Sequence, residues 1–136
     1  MKGKAWLDRM RIVVYVVLVV VTGFVLWRYD LVRLPSEGCS PLVGFAPGDR
    51  LVVERRLVAA DVEGEAVLYR APTGELLLGR VSPLPPSAPP EHWAAVEAGA
   101  LWLEVERRDC PGGDSRRFGP IETEAVWGRV AFRLPW

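Results

Sequence analysis

The sequence predicts a single N-terminal transmembrane α-helix followed by a small, mostly-β domain of antiparallel, barrel-like sheets outside the cytoplasm. Three observations carry this reading. Ile12–Trp27 runs sixteen residues without a charge, the charge balance inverts across that run, and five short stretches rich in Val and Leu follow it, bounded by Gly, Pro and Asp. The chain has 136 residues, which leaves room for an anchor and one domain of roughly 100 residues. Two-domain enzymes, nucleotide-binding sheets and multi-span transporters are excluded by that length.

The charge pattern gives the topology. The 17 basic and 17 acidic residues cancel, but Lys2, Lys4, Arg9 and Arg11 stand against Asp8 alone before residue 28, leaving 13 basic and 16 acidic groups from residue 28 onward. Basic residues ahead of an apolar run stay in the cytoplasm, so the flank 1–11 is expected inside, the span at 12–29, and the domain 30–136 outside. No net positive field favours nucleic acid as a partner; the bilayer is the expected one.

At ~1.5 Å per residue the uncharged run covers about 24 Å, a little less than a ~30 Å hydrocarbon core. Arg11 and Arg28 can snorkel, and Trp6, Trp27 and Tyr29 suit the two interfaces. A buried core helix would need more chain to wrap it than the remainder supplies. A cleaved leader would want small residues after the run, and Trp27-Arg28-Tyr29-Asp30 offers none.

Beyond the span, Arg50–Arg56, Glu65–Arg70, Glu75–Val81, Ala100–Glu106 and Ala125–Leu134 read as strands. Alternation is clearest in the last two, where Leu101, Leu103 and Val105 share a face. Pro72-Thr73-Gly74 marks a turn between the second and third. Five prolines in Ser82–Pro90 force a loop, and Glu91–Ala98 is the one outer segment with a helical period.

Three segments carry a resemblance. The first is Pro35-Ser36-Glu37-Gly38-Cys39-Ser40-Pro41 followed by Gly48-Asp49-Arg50 and an apolar run. The second is Gly64-Glu65-Ala66-Val67-Leu68-Tyr69, then Leu78-Gly79-Arg80-Val81 and Leu84-Pro85. The third is Asp114-Ser115-Arg116-Arg117-Phe118-Gly119-Pro120-Ile121, then Val126-Trp127-Gly128-Arg129. In this order and behind an anchor they resemble the type I signal peptidases, membrane peptidases with a serine nucleophile and a lysine base. The resemblance spans residues 35–130 and implies the family's β fold in the bacterial inner membrane, with the β domain periplasmic or extracellular. It makes Pro41, Gly48, Asp49, Arg80, Asp114, Ser115, Arg116 and Gly119 motif scaffold rather than chemistry.

The departures from that pattern bear on function. The nucleophile column falls on Gly38 and the lysine column on Gly79. Realignment does not rescue the base, because Lys2 and Lys4 are the only lysines in the chain and both precede the span. Arginine stays charged and cannot take the role. An atypical membrane endopeptidase is the alternative, with Cys39 as nucleophile and His92, the sole histidine, as its base; Ser36 and Ser40 are weaker candidates. Against it stands a Cys39–Cys110 disulfide, suggested because both cysteines flank segments that meet at the family's site, with two separate thiols as the other possibility. Two cysteines and one distant histidine lack metal spacing, and no cofactor is expected. Gly112-Gly113 stands where the family often carries a serine.

The expectation is therefore a catalytically inactive, signal-peptidase-like membrane protein, an accessory or structural subunit or assembly factor of an inner-membrane complex. Its partners would be other subunits, met through the helix and the β domain, and the bilayer. A regulator that binds signal-peptide-like extended segments is a further alternative.

Overall fold

The computed structural model describes residues 2–36, 38–55 and 62–135. An apolar helix, α1 (Lys2–Arg28), leads into an antiparallel sheet of β1 (Tyr29–Arg33), β2 (Arg50–Glu54), β3 (Ala66–Arg70), β4 (Leu76–Val81), β5 (Leu103–Glu104) and β6 (Val126–Leu134). The strand order is β1-β2-β6-β3-β4-β5. Two further helices, α2 (Pro90–Glu97) and α3 (Ser115–Phe118), lie in the long connections. Arg56, read as a strand end, lies outside the described residues, as do Glu37 and Trp136.

α1 is 27 residues long, about 40 Å, so it is long and apolar enough to cross a membrane. It starts earlier than the expected span and stops one residue sooner, because Tyr29 opens β1 instead of closing the helix. That strand was not legible locally. Its residues gain their ladder from β2, with Tyr29 opposite Glu54 and Arg33 opposite Arg50. The turn from helix to strand is direct, and the Arg28 carbonyl accepts the Arg55 amide at 3.0 Å, satisfying one of the helix's terminal acceptors.

The β3–β4 hairpin follows from its turn. Gly74 has φ +89°, and the Ala71 carbonyl accepts its amide at 2.8 Å, while the Ala71 amide donates to Glu75 at 2.9 Å. β3 is buried on both faces and divides the core. Val67 and Tyr69 join Leu103, Ile121 and Val126 on one side; Ala66 and Leu68 join Leu42, Leu51 and Val130 on the other.

α2 matches the helical period expected at 91–98. Proline at its first turn sacrifices no needed donor, and Gly99 at φ +108° ends it, with Ala100 donating back to Ala95. The Ala100–Glu106 strand is a correction. Only Leu103 and Glu104 join the ladder against β4, and Leu101 bridges Ile121 instead. The Leu103 amide donates to Ser115 Oγ and the Val105 amide to Asp114 Oδ2, so side chains take the donors that a longer strand would use. The outer tryptophans divide: Trp102 is buried, while Trp93 and Trp127 are about two-fifths exposed.

Candidate functional site

The loop that carries the first motif folds onto the turn ahead of α3. The Pro41 carbonyl accepts the amides of Glu106 and Arg107 at 3.0 and 2.9 Å, and Cys39 is joined to Cys110 by a disulfide with Cα atoms 5.5 Å apart. Cys39 therefore has no thiolate to offer. His92 does not approach it; its ring lies 5.7 Å from that of Trp102, and its Nε2 edge faces Gly119. Buried Ser40 donates its hydroxyl to the Leu42 carbonyl at 3.3 Å, and no base contacts it among the described residues. Exposed Ser36 sits on the loop ahead of them.

The two glycines that the motif resemblance sets in the catalytic columns differ. Gly38 is exposed, with φ +106° and open space where a side chain would project. Gly79 is buried in β4, opposite Val67. A Cβ there would stand 3.2 Å from the Tyr69 ring and 3.3 Å from Leu103 Cβ. Tyr69 itself is held from above: its hydroxyl donates to the Gly113 carbonyl at 3.0 Å. Burial, aided by the Asp114 charge, pushes its pKa up to about 12, so it stays a neutral donor. Leu77 fills the space beside Gly112, where an added Cβ would come within 2.9 Å of it. The direction a lysine stem would take is closed by core packing.

The motif residues do structural work. Asp114 caps α3 by accepting the Arg116 amide, binds the Val105 amide, and pairs with the Arg116 guanidinium. Burial would raise its carboxyl, but the hydrogen bonds from Arg116 and the two amides outweigh burial and hold it below the usual carboxylate range. Gly119, at φ +79°, closes the helix. Gly48 turns the chain at φ +87°, and buried Asp49 accepts the Ala46 amide at 2.8 Å. Arg80 pairs with Glu106 at 2.9 Å and donates to the Gly64 carbonyl at 2.8 Å. Each is an anchor for a loop.

Two residues carry more than the sequence reading assigned them. Buried Glu54 accepts both Arg28 and Arg129, joining the end of α1 to the centre of the sheet. The hydrogen bond from Arg129 is the main cause that lowers its pKa, with Arg28 adding to it against the opposing effect of burial. A buried acid beside two arginines distant in sequence leaves no local signal. Gly128 had one, as part of the third motif. Its absent Cβ would meet the Glu54 carbonyl oxygen at 2.4 Å, so β6 can lie against β2 only with glycine there.

Among the described residues, no three His, Cys, Asp or Glu side chains group as metal ligands. No protein-family model matches this chain, and no curated protein matches it.

Proposed function

We propose that this chain is a membrane-anchored, signal-peptidase-like protein without peptidase chemistry, serving as an accessory or structural subunit of a bacterial inner-membrane complex. The observation that carries the reading is Gly79. The position a general base would occupy has no side chain, and Tyr69 and Leu103 close around it. The absence of any lysine beyond Lys4 and the disulfide at Cys39 point the same way.

Membrane attachment is supported by α1, whose residues from Gly3 to Trp27 are all exposed. An apolar row across the sheet continues from it. Leu31 pairs with Val52 and Val52 with Phe132, and Leu31 and Phe132 are 60% and 65% exposed. Such a row next to a lipid-facing helix suits the interface or a neighbouring subunit.

The direct test incubates the full chain, in detergent and in vesicles, with a signal-peptide substrate. No cleavage above background is expected. Cleavage that disappears in Cys39→Ala would overturn the proposal and install Cys39 as a nucleophile. Topology is tested by an impermeant thiol reagent on intact cells, using Gly3→Cys and Glu63→Cys separately. Labelling at 63 and none at 3 is expected; the reverse would refute the orientation. Photo-crosslinking from Leu31 and Phe132 then identifies the neighbouring subunit.

A further inference from the structure

A well-formed cavity among the described residues lies away from Gly38 and Gly79. It measures about 950 Å³, within the range of roughly 300–1,000 Å³ typical of ligand sites. It opens at the end of the sheet where α1 enters. β1 begins there, β2 and β3 finish, and β6 starts, as the pairs Tyr29–Glu54, Glu54–Arg129 and Tyr69–Val126 record. Asp30, on its wall, is two residues past the last residue of α1.

Its chemistry is divided. Ile121, Val126 and the exposed Trp127 supply apolar surface, while Arg70, Glu122 and Glu124 supply charge. Asp30 and Arg55, which also line it, neutralise each other at 3.2 Å. Arg70 donates to the Gly74 carbonyl and makes no ion pair among the described residues. The cavity therefore presents one cation and two carboxylates beside an apolar wall.

We propose that this cavity holds the headgroup of a zwitterionic phospholipid bearing a primary amine, of the phosphoethanolamine type. This rests on the membrane reading above. Strand residues rise ~3.3 Å each, and the headgroup layer extends roughly 5–7 Å beyond the hydrocarbon, so a wall two residues past the span opens into that layer. The phosphate sits by Arg70 and the ammonium by Glu122 and Glu124. The glycerol and first acyl carbons lie along Ile121, Val126 and Trp127, whose indole suits the interface. An anionic lipid would satisfy Arg70 and face two carboxylates. A basic peptide would satisfy the glutamates and oppose Arg70. A choline headgroup matches in charge, but its quaternary nitrogen has no hydrogen to donate.

The test equilibrates the purified full chain with mixed micelles holding equal phosphatidylethanolamine, phosphatidylglycerol and phosphatidylcholine, then quantifies retained lipid by mass spectrometry. Phosphatidylethanolamine is expected in about tenfold excess over each of the others, as one charge-assisted hydrogen bond implies. The double variant Glu122→Gln, Glu124→Gln should abolish its excess over phosphatidylcholine, and Arg70→Gln should lower retention of both. These side chains are exposed, so unchanged thermal melting is expected and separates loss of binding from loss of fold. Equal retention of the three lipids, an excess of phosphatidylglycerol, displacement of bound lipid by a basic apolar peptide, or indifference to the variants would overturn the proposal. Release of the chain from membranes by alkaline carbonate would instead refute membrane insertion, and signal-peptide cleavage would refute only the inactive reading.

Discussion

Arg28, the last residue of the apolar helix, closes an ion pair on Glu54 at the end of β2, and Arg129 from β6 takes the other carboxylate oxygen. Helix and sheet are thereby joined without a linker, through a carboxylate that is buried while its two partners are about one-third exposed. Charge-assisted hydrogen bonds of this kind contribute ~1.5–3 kcal/mol, and partial exposure of the arginines places the value low in that range. Glu54→Gln is expected to destabilise the domain by about 2 kcal/mol, read by denaturant melts of the detergent-solubilised chain. A loss under ~0.5 kcal/mol would show that the pair is not coupled to folding.

Gly128→Ala is the most damaging single methyl in the sheet. The new Cβ would lie 2.4 Å from the Glu54 carbonyl oxygen and 2.6 Å from a Val53 methyl, so β2 and β6 must separate. A loss of about 3 kcal/mol or more is expected, against about 1–2 kcal/mol for Gly64→Ala, which meets open space and suffers only its positive φ. Similar melts for the two variants would contradict this packing.

The Cys39–Cys110 bridge spans 71 residues of sequence, for which loop-closure entropy assigns about 4 kcal/mol. Reductant should lower the melting temperature substantially, and Cys39→Ser, Cys110→Ser should reproduce that shift without further response to reductant. Titration of denatured, unreduced protein should find no free thiol.

Installing a serine and a lysine at the two columns that the motif resemblance suggests is not expected to create a peptidase. Gly38→Ser imposes a side chain at φ +106°, and Gly79→Lys pushes a stem between Tyr69 and Leu103. The double variant is expected to lose roughly 2–4 kcal/mol and to cleave no signal peptide. Cleavage by it would mean that the core around Gly79 yields more readily than its contacts imply.

Acid stability has a defined sign. The pKa values of Asp114 and Glu54 are lowered in the folded state, so the native form binds fewer protons than the unfolded chain. Their contribution is complete above the ordinary carboxylate range, about pH 4–4.5, and drains away as the pH falls through the lowered folded values. Asp114→Asn should flatten that acid limb, and a limb of unchanged steepness would remove Asp114 from it. Tyr69 acts at the other extreme. With its pKa raised to about 12, stability is full below about pH 10 and falls between 10 and 12, a loss that Tyr69→Phe should reduce.

The sequence by itself determined what local patterns can encode. The uncharged run became part of α1, the short Val- and Leu-rich stretches became β2, β3, β4 and β6, and Pro72-Thr73-Gly74 became the hairpin turn. The lack of a lysine beyond Lys4 is a fact of composition that no fold alters. The pairing of Cys39 with Cys110 was suggested by motif resemblance, and the structure makes that bond. Tertiary structure decided the rest. Tyr29–Arg33 is a strand only because β2 lies beside it, and Leu103–Glu104 is short because Ser115 takes the Leu103 amide and Asp114 the Val105 amide. The closure of Gly79 by Tyr69 and Leu103, the double pairing of Glu54, and the cavity at the helix end each unite residues far apart in the chain. Periodicity reports which face of an element is apolar; it carries no record of which distant side chain will cover that face.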